Sequence, residues 1–493
     1  MQRSSRNKPV PAVPRPALSS PAATAVRVPG SASRARSALR TGIALPIDPL
    51  RVCLFVMLLI TISRFHQIYP PLARLRPALF LALAAMAYAL LNPSLLNTQK
   101  LLRHWPARVV LGIAIMACLS VPFGLSIGNS ATFILFEFSK ILIFAFLLIA
   151  TMRGARDLYL FIWGYVIASG ILVWMAWFLF SMQSSKGVTR LNNLYSWDAN
   201  DAGCILVTAL PLALITFQTS GKRGRIISAI ILVGIGATIA RTGSRGAFLA
   251  GIVAGLALLF TLSTVPVAKR LMFVVAAGGA LVLTAPQGYW EQMRTMVVPQ
   301  EDYNWTSDYG RKEVWTRGVG YMMSNPLLGI GIHNFQHAEG SVSDVVARFE
   351  ESGGKGKIKW SAAHNSFLQA GSELGIPGLI LWSSLIIGGI IGMRRLRRRL
   401  PAAWARGDPE EKLIYATTVY LPVALLAFAT SAFFLSFAYV EVVYILAAYL
   451  VGTYVAADAK LRNRSAASRR PRAPAVPVPA WRRQVIGQPR AQN

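Results

Sequence analysis

The chain of 493 residues is 54% hydrophobic and only 14% charged, with a formal net charge of +31. This composition excludes a soluble globular protein, because apolar runs long enough to cross a bilayer recur along the sequence. The positive charge does not indicate a nucleic-acid partner, since much of it lies in terminal segments and in short loops between apolar runs.

The two ends of the chain share one character. Residues 1–44 and 458–493 are basic and rich in proline, alanine and arginine, and residues 1–40 contain no acidic side chain. Neither segment holds a long apolar run, so we predict disordered basic tails and no cleavable signal peptide. Both tails are expected to face the anionic cytoplasmic leaflet.

The residues between the tails predict an all-α, polytopic membrane protein with about 12 transmembrane helices. Spans one to nine fall in residues 45–286, spans ten to twelve in residues 364–457, and a long outer loop in residues 287–363. The expected limits are 48–66, 77–93, 107–126, 131–152, 157–181, 200–219, 224–241, 245–263, 268–286, 364–393, 412–431 and 434–457. A cytoplasmic N-terminus puts most of the basic clusters inside, which is the positive-inside pattern.

A short hairpin between the seventh and eighth spans carries two arginines on the outer face. Gly243 suits the C-terminal turn of one helix and Ser244 the N-cap of the next, so Arg245 is expected in the first helical turn. A cation there opposes the helix dipole unless an anion joins it. Arg245 and Arg241, with the free N–H groups, therefore predict a phosphate site. The alternative is that both arginines reach lipid headgroups.

The segment from His364 to Met393 begins with a histidine and continues as an apolar run. As one helix it would be longer than the hydrocarbon core, so His364 is expected to meet water and to serve as a general base near neutral pH. The simpler interpretation is an interfacial cap. Helical spacing puts His364, Gly371, Gly375 and Gly378 on one stripe suited to close approach of a helix or a lipid chain. Pro377 is expected to kink the helix.

These residues carry a resemblance to a known family. The chain resembles the O-antigen ligases and polymerases, bacterial envelope glycosyltransferases with the motifs R-x3-L and H-[NSQ]-x9-G-x2-[GTY]. The matching segments are Arg245-Gly-Ala-Phe-Leu249 and His364-Asn365 followed after nine residues by Gly375-Ile-Pro-Gly378; similar too are Asp308-Tyr-Gly-Arg311-Lys-Glu-Val-Trp315, Asn325-Pro-Leu-Leu-Gly-Ile-Gly331 and Asn200-Asp-Ala-Gly203. His333-Asn334 is excluded, because no Gly-x-x-Gly follows it at the required interval.

The resemblance implies metal-independent transfer of a glycan from undecaprenyl diphosphate to an acceptor hydroxyl, such as that of lipid A-core, on the periplasmic side of the inner membrane. It implies no cofactor, and its partners are the donor, the acceptor and membrane lipids. His364 would be the catalytic base, and Arg245, Arg241 and Arg311 would bind the diphosphate. Residues expected in a substrate groove are Asn365, Gly371, Gly375, Gly378 and Asn200.

Other polar residues have weaker interpretations. Glu137 and Lys140 are expected to pair within a span, where the cost of burying charge favours a role, although a purely structural pair is equally consistent. Asp198, Asn200 and Asp201 suit N-capping better than a divalent cation. Glu373 is expected to point away from His364, and Glu441 has no assigned role.

Three alternatives remain open at this point. A polymerase of the same family would use the same donor with another glycan as acceptor. An anion transporter or lipid-linked oligosaccharide flippase is a different class, but such proteins usually show repeated halves with interrupted helices and midplane charges. A scaffold without chemistry would leave the two outer arginines unexplained.

Overall fold

The computed structural model describes residues 48–95, 101–185, 188–192, 194–261, 266–298, 300, 302–307, 309–351, 353 and 359–469. The predicted N-terminal tail, and the C-terminal tail beyond residue 469, lie outside the described residues.

Helices dominate the part of the chain that precedes the long loop. The helices there are α1 Pro49–Ser63, α2 Pro70–Arg74, α3 Pro77–Leu91, α4 Trp105–Ser120, α5 Ile127–Phe133, α6 Ser139–Thr151, α7 Ala155–Phe178, α8 Ala199–Thr219, α9 Lys222–Thr242, α10 Arg245–Thr261 and α11 Val267–Thr284. A π-helical turn, Ile134–Phe138, joins α5 to α6, and 3-10 turns form at Phe65–Ile68 and Pro93–Leu95. Strands β1, Ser181–Ser185, and β2, Val188–Asn192, pair antiparallel with Met182 opposite Leu191.

The long loop folds into short helices before the last long helices begin. These short helices are α12 Tyr289–Arg294, α13 Tyr303–Thr306, α14 Arg311–Ser324, α15 Phe335–Ser341 and α16 Asp344–Glu351. The long helices that follow are α17 Ser366–Arg399, α18 Pro409–Ala432 and α19 Glu441–Arg469, with a 3-10 turn at Ala402–Arg406.

Within the described residues, seven helical stretches are long and apolar enough to cross a membrane. They are Ile127–Thr151, Ala155–Phe178, Ala199–Thr219, Lys222–Thr242, Ser366–Arg399, Pro409–Ala432 and Glu441–Ser465. The other predicted spans also coincide with helices, of which α1, α3, α4 and α10 are apolar but shorter. The predicted class of an all-α polytopic membrane protein is confirmed, and the number of twelve spans stays a prediction.

The helix ends follow signals that are visible in the sequence. Asp48 caps α1 by accepting from the backbone N–H of Arg51 at 3.0 Å, and Pro49 occupies the first turn. Asp408 and Glu411 form a reciprocal capping box at the start of α18. Helix α9 ends at Gly243, whose φ of 59° is the left-handed conformation that favours glycine. These caps set where each span begins and ends.

Helices α8, α18 and α19 form the centre of the bundle. Each has 78% of its most apolar window buried, against 28% for α9, which therefore lies at the periphery. The interior is apolar, and the buried Tyr449 hydroxyl within it donates to the carbonyl of Phe161 at 2.6 Å. The centre thus supplies a rigid frame for the loops at its ends.

Helix α17 is broken at Gly375 rather than kinked at Pro377. Gly375 adopts φ 73° and ψ −176°, which interrupts the helical hydrogen bonds. The freed groups pair with the loop: Ile330 N–H donates to Ser372 O at 2.8 Å, Gly331 N–H to Glu373 O at 3.1 Å, and Ile376 N–H to Pro326 O at 2.8 Å. The loop segment 325–334 is therefore bound into the break. We call the end of the bundle at which this loop lies the loop end.

The connection between α18 and α19 differs from the predicted span 434–457. Helix α19 begins at Glu441 and continues to Arg469, so the segment predicted as a tail from residue 458 begins as helix. Phe433–Val440 is not an α-helix, because its backbone pairs with the start of α17. Ser366 Oγ donates to Leu435 O at 2.7 Å and accepts from Phe437 N–H at 2.8 Å. This connection lies directly beneath His364.

Candidate functional site

The turn between α9 and α10 has the predicted geometry. Gly243 is left-handed, and Ser244 Oγ accepts from the N–H of Ala247 at 3.3 Å, as expected of an N-cap. Arg245 is the first residue of α10. Its guanidinium therefore stands at the positive end of a helix dipole, where a negative partner is needed.

That partner is a carboxylate of the long loop, which sequence reasoning missed. Arg245 Nη1 donates to Asp302 Oδ2 at 2.5 Å and to Thr295 Oγ1 at 2.6 Å. The Asp302 side chain is 10% exposed and that of Arg245 21%, so the pair is shielded but reached by solvent. The only sequence signal for Asp302 was its position in a loop long enough to be functional.

Arg311, the first residue of α14, joins this cluster from the loop. The pKa of Arg311 is lowered to about 10, first by desolvation and then by the charge of Arg245, while the charges of Asp302 and Asp198 oppose the change. Arg190 on β2 also lowers the pKa of Arg311, so β2 contributes a cation that sequence reasoning did not assign to the site. Arg311 remains protonated at neutral pH, and its guanidinium lies 5.8 Å from the ring centroid of Phe434.

Arg241 is held differently from the other two predicted arginines. Its guanidinium carbon lies 4.3 Å from the ring centroid of Trp177, a cation–π contact. Among the described residues its buried Nε has no hydrogen-bond partner. The structure therefore places Arg245 and Arg311 in one electrostatic cluster and Arg241 against α7.

His364 precedes α17 in a strained backbone conformation. Its φ is 46°, which is uncommon for a residue with a side chain, and its N–H donates to Ser436 Oγ at 2.9 Å. The following residue, Asn365, caps α17 by accepting from the N–H groups of Phe367 and Leu368 at 3.0 and 3.1 Å. The cap and the connection beneath it hold the histidine at the loop end.

The electrostatic surroundings keep the His364 ring neutral. The pKa of His364 is lowered to about 4, first by desolvation and then by the positive charges of Arg311 and Lys359, while Asp198 opposes them. The residue is nevertheless exposed, so solvent and solutes reach the ring. A neutral, accessible imidazole within electrostatic reach of Arg311 can accept a proton where an anion binds.

The residues predicted to line a substrate groove have other neighbours. Gly371 faces Met322, Gly375 faces Pro326 and Leu327, and Gly378 packs on its own helix; a Cβ on Gly371 would lie 2.6 Å from Met322 Sδ. Asn365 is a helix cap whose side chain is spent on backbone N–H groups. Protein atoms lie beside these four residues, and their part in a substrate groove stays a prediction.

Asn200 belongs to the cap of α8. Asp198 accepts from the N–H groups of Asn200 and Asp201 at 2.6 and 2.7 Å, and the Asn200 side chain also donates to Asp198 at 3.3 Å. The N-capping interpretation is confirmed, and the groove assignment of Asn200 stays a prediction. Among the described residues, no group of three or more His, Cys, Asp or Glu side chains is placed to hold a metal ion.

An apolar cavity of about 510 Å³ opens beside the helix break, away from the charged cluster. It is lined by Pro326, Leu327, Ile376, Pro377, Ile380 and Leu381. The polar groups of the break are already paired with the loop, so this surface offers apolar contact alone. The glycines thus shape the groove by letting the loop approach, and their neighbours line it.

The remaining polar candidates make local pairs. Glu373 points away from His364, as predicted, and its carboxylate accepts from the N–H groups of His333 and Phe335 at 2.9 and 3.0 Å. Lys140 Nζ lies 3.0 Å from Glu137 Oε2, with both side chains exposed. Glu441 lies 3.6 Å from Arg64. The His333 ring stacks on Phe133 at 4.2 Å.

The comparisons with known proteins bear on the part of the chain that holds this site. Residues 227–383 match a family model described as O-antigen ligase. The match runs from α9 to the middle of α17 and contains Arg245, Arg311 and His364. A comparison with curated protein sequences gave no match.

Proposed function

We propose that the chain is a membrane glycosyltransferase of the ligase type, because residues 227–383 match a family model described as O-antigen ligase. Its donor is a glycan on undecaprenyl diphosphate, and its acceptor is a hydroxyl group of lipid A-core or a similar molecule. The reaction takes place at the loop end of the bundle. With the expected orientation this end faces the periplasm, the bundle spans the inner membrane, and both termini are cytoplasmic.

One observation supports this proposal above the others. The charge of Arg311 helps to lower the pKa of His364, and the charge of Arg245 in turn helps to lower the pKa of Arg311. The same place thus offers a proton acceptor and two guanidinium groups. Glycosyl transfer from a diphosphate needs both, because the acceptor hydroxyl loses a proton while negative charge grows on the leaving group.

In the proposed transfer, the acceptor oxygen attacks the anomeric carbon of the donor glycan. A new carbon–oxygen bond forms as the bond from that carbon to the diphosphate oxygen breaks. The proton of the acceptor hydroxyl goes to the neutral ring of His364. The bonding electrons leave with the lipid diphosphate, whose charge Arg311 and Arg245 stabilise. Arg241, stacked on Trp177, is proposed to add longer-range positive charge.

The ring of His364 becomes a stronger base when the donor is bound. Desolvation and the charge of Arg311 lower the pKa of His364. A bound diphosphate offsets that positive charge and so raises the pKa of the ring toward neutrality. The base strength of His364 is therefore coupled to donor binding, and the ring takes up a proton less readily before the donor binds.

The test is glycan transfer in membranes that contain a carrier-linked oligosaccharide, with and without EDTA. His364→Ala and Arg245→Ala are compared with wild type at matched expression. His333→Ala is the control, because His333 also precedes an asparagine and also has a positive φ, 61°. Loss of transfer in the first two variants only, with no effect of EDTA, supports a metal-independent glycosyltransferase. Undiminished transfer in both contradicts it and favours a transporter or flippase.

The product distinguishes the two activities of the family. Glycan attached to lipid A-core identifies a ligase, whereas a longer glycan that is still on the carrier identifies a polymerase. Both acceptors are supplied in the same assay, so that one gel resolves the two products.

A further inference from the structure

The charged cluster contains a carboxylate where the proposed function requires an anionic ligand. Asp302 binds Arg245 at 2.5 Å, and Thr295 binds the same guanidinium nitrogen at 2.6 Å. A diphosphate that approaches Arg245 meets this carboxylate first. Two anions on one guanidinium in a shielded site repel each other, so diphosphate and Asp302 cannot both keep full contact with Arg245.

Asp302 comes from a part of the chain separate from the helix that carries Arg245. It lies in the long loop, on the residue before α13, while Arg245 opens α10. Its backbone carbonyl accepts from the N–H of Trp305 at 2.9 Å, so the carboxylate is carried by a local turn. A turn of this kind can withdraw from Arg245 without disturbing the bundle.

Resting on the proposed function, we infer that Asp302 is an internal competitor of the lipid diphosphate for Arg245, displaced when the donor binds and restored when the product leaves. Before the donor binds, the Asp302 carboxylate pairs with Arg245 and so stabilises a cation at a helix N-terminus. Donor binding therefore replaces the Asp302 carboxylate on Arg245 with the diphosphate.

The chemistry of the reaction explains why such a competitor is needed. In the donor each phosphorus carries one ester oxygen, the shared anhydride oxygen and one ionised oxygen. After transfer the terminal phosphate keeps only the anhydride bond and gains a second ionisable oxygen with a pKa of about 6, so the free lipid diphosphate is more negative at neutral pH. The product therefore binds two arginines more strongly than the donor does. A carboxylate that returns to Arg245 opposes this product retention.

The inference predicts a characteristic split in the kinetic constants of Asp302→Asn. Removal of the competing charge strengthens binding of both donor and product, so KM falls, and kcat falls as well because product release slows. A merely structural role, in which Asp302 holds Arg245 in place, predicts the opposite change in KM.

The experiment measures binding of farnesyl diphosphate, a short lipid diphosphate, to the full chain in nanodiscs. The proteins are wild type, Asp302→Asn, Arg245→Gln, the double variant, and Asp344→Asn as a control that removes a carboxylate from another place in the same loop. We expect Asp302→Asn to lower Kd about tenfold, a coupling of ordinary size between interacting groups. The control leaves Kd unchanged, and the gain disappears in the Arg245→Gln background.

The outcomes separate the inference from the proposed function. If wild type binds the probe, Arg245→Gln weakens binding, and Asp302→Asn binds equally or less tightly, Asp302 is an anchor and the inference is overturned. If wild type does not bind the probe, or Arg245→Gln binds as wild type does, the diphosphate site itself is wrong, and the proposed function fails with the inference.

Discussion

The indole N–H of Trp315 donates to the carbonyl of Ala363, the residue immediately before His364, at 2.9 Å. The centroid of the Trp315 ring also lies 5.3 Å from that of Phe433, in an edge-on contact, and 6.4 Å from that of Phe434. Trp315 on the loop helix α14 therefore contacts both the residue that precedes His364 and the connection between α18 and α19. Trp315 links the position of the loop to the position of the histidine.

We expect Trp315→Phe to slow glycan transfer about three- to tenfold. Phenylalanine keeps most of the ring contacts but cannot donate to Ala363, and a lost hydrogen bond of this kind costs ~1 kcal/mol. The loss acts on the placement of His364 rather than on folding. Transfer rates are compared with those of Trp174→Phe, an exposed tryptophan on α7. Equal rates for the two variants would show that the hydrogen bond to Ala363 does not position the base.

The acid limb of the pH profile reports the state of His364. Since the pKa of His364 is lowered to about 4, the ring is neutral and able to accept a proton above that pH and is protonated below it. Arg311 is the largest electrostatic cause after desolvation. We therefore expect Arg311→Gln to raise the pKa of His364 and move the acid limb of kcat/KM to higher pH.

The position of this limb is independent of the overall loss of rate in Arg311→Gln. Lys359→Gln should shift the limb in the same direction by a smaller amount, because Lys359 contributes less to the pKa of His364. An unshifted limb in Arg311→Gln would mean that the titrating group is not His364, or that Arg311 does not act on it.

Glu373→Gln tests how the loop is anchored. The buried carboxylate accepts from the N–H groups of His333 and Phe335, and an amide can replace only one of these acceptor atoms. We expect the free energy of unfolding to fall by ~1–3 kcal/mol. Thermal unfolding in detergent measures the loss, and hydrogen exchange at the amides of His333 and Phe335 locates it. Glu350→Gln, an exposed change in the same loop, is the control. Wild-type protection at both amides would contradict this account.

Gly375→Ala tests the break in α17. Its φ of 73° with ψ −176° is strained for alanine by roughly 1–3 kcal/mol, and the added Cβ would lie 2.6 Å from the Leu327 carbonyl carbon and from Pro326 O. We expect a lower midpoint of thermal unfolding together with loss of transfer activity. Gly236→Ala is the matched control, because nothing lies within 4 Å of the Cβ at that helical position. If the two variants unfold alike, the loop does not depend on the close approach at Gly375.

The elements that local chemistry determines could be predicted from the sequence. Apolar runs located the long helices, and the turn from Gly243 to Ser244 was predicted together with its caps, because glycine and serine act there through their own backbone. Asn365 had the same kind of signal, an asparagine just before an apolar run, yet the motif led to a groove assignment. Its side chain is a cap.

The elements that depend on distant partners could not be predicted. Pro377 marked a disturbance in α17, but the break lies at Gly375 because the backbone of the loop supplies the missing partners there. Asp302 and Arg190 reach the arginine cluster from segments without periodic pattern, so nothing local indicated their neighbours. Sequence motifs pointed to His364, Arg245 and Arg311, and the electrostatic effects among them required the fold.

The paired break in α17 also constrains how the protein is assembled. A helix that enters a bilayer with unpaired peptide groups is costly, since lipid offers no hydrogen bonds. The groups at Ser372, Glu373 and Ile376 find their partners in residues 326–331, which the ribosome makes first. The hydrogen bonding of α17 is therefore complete only when these earlier residues fold back onto it. Residues 326–331 thus supply hydrogen bonds that α17 cannot make within itself.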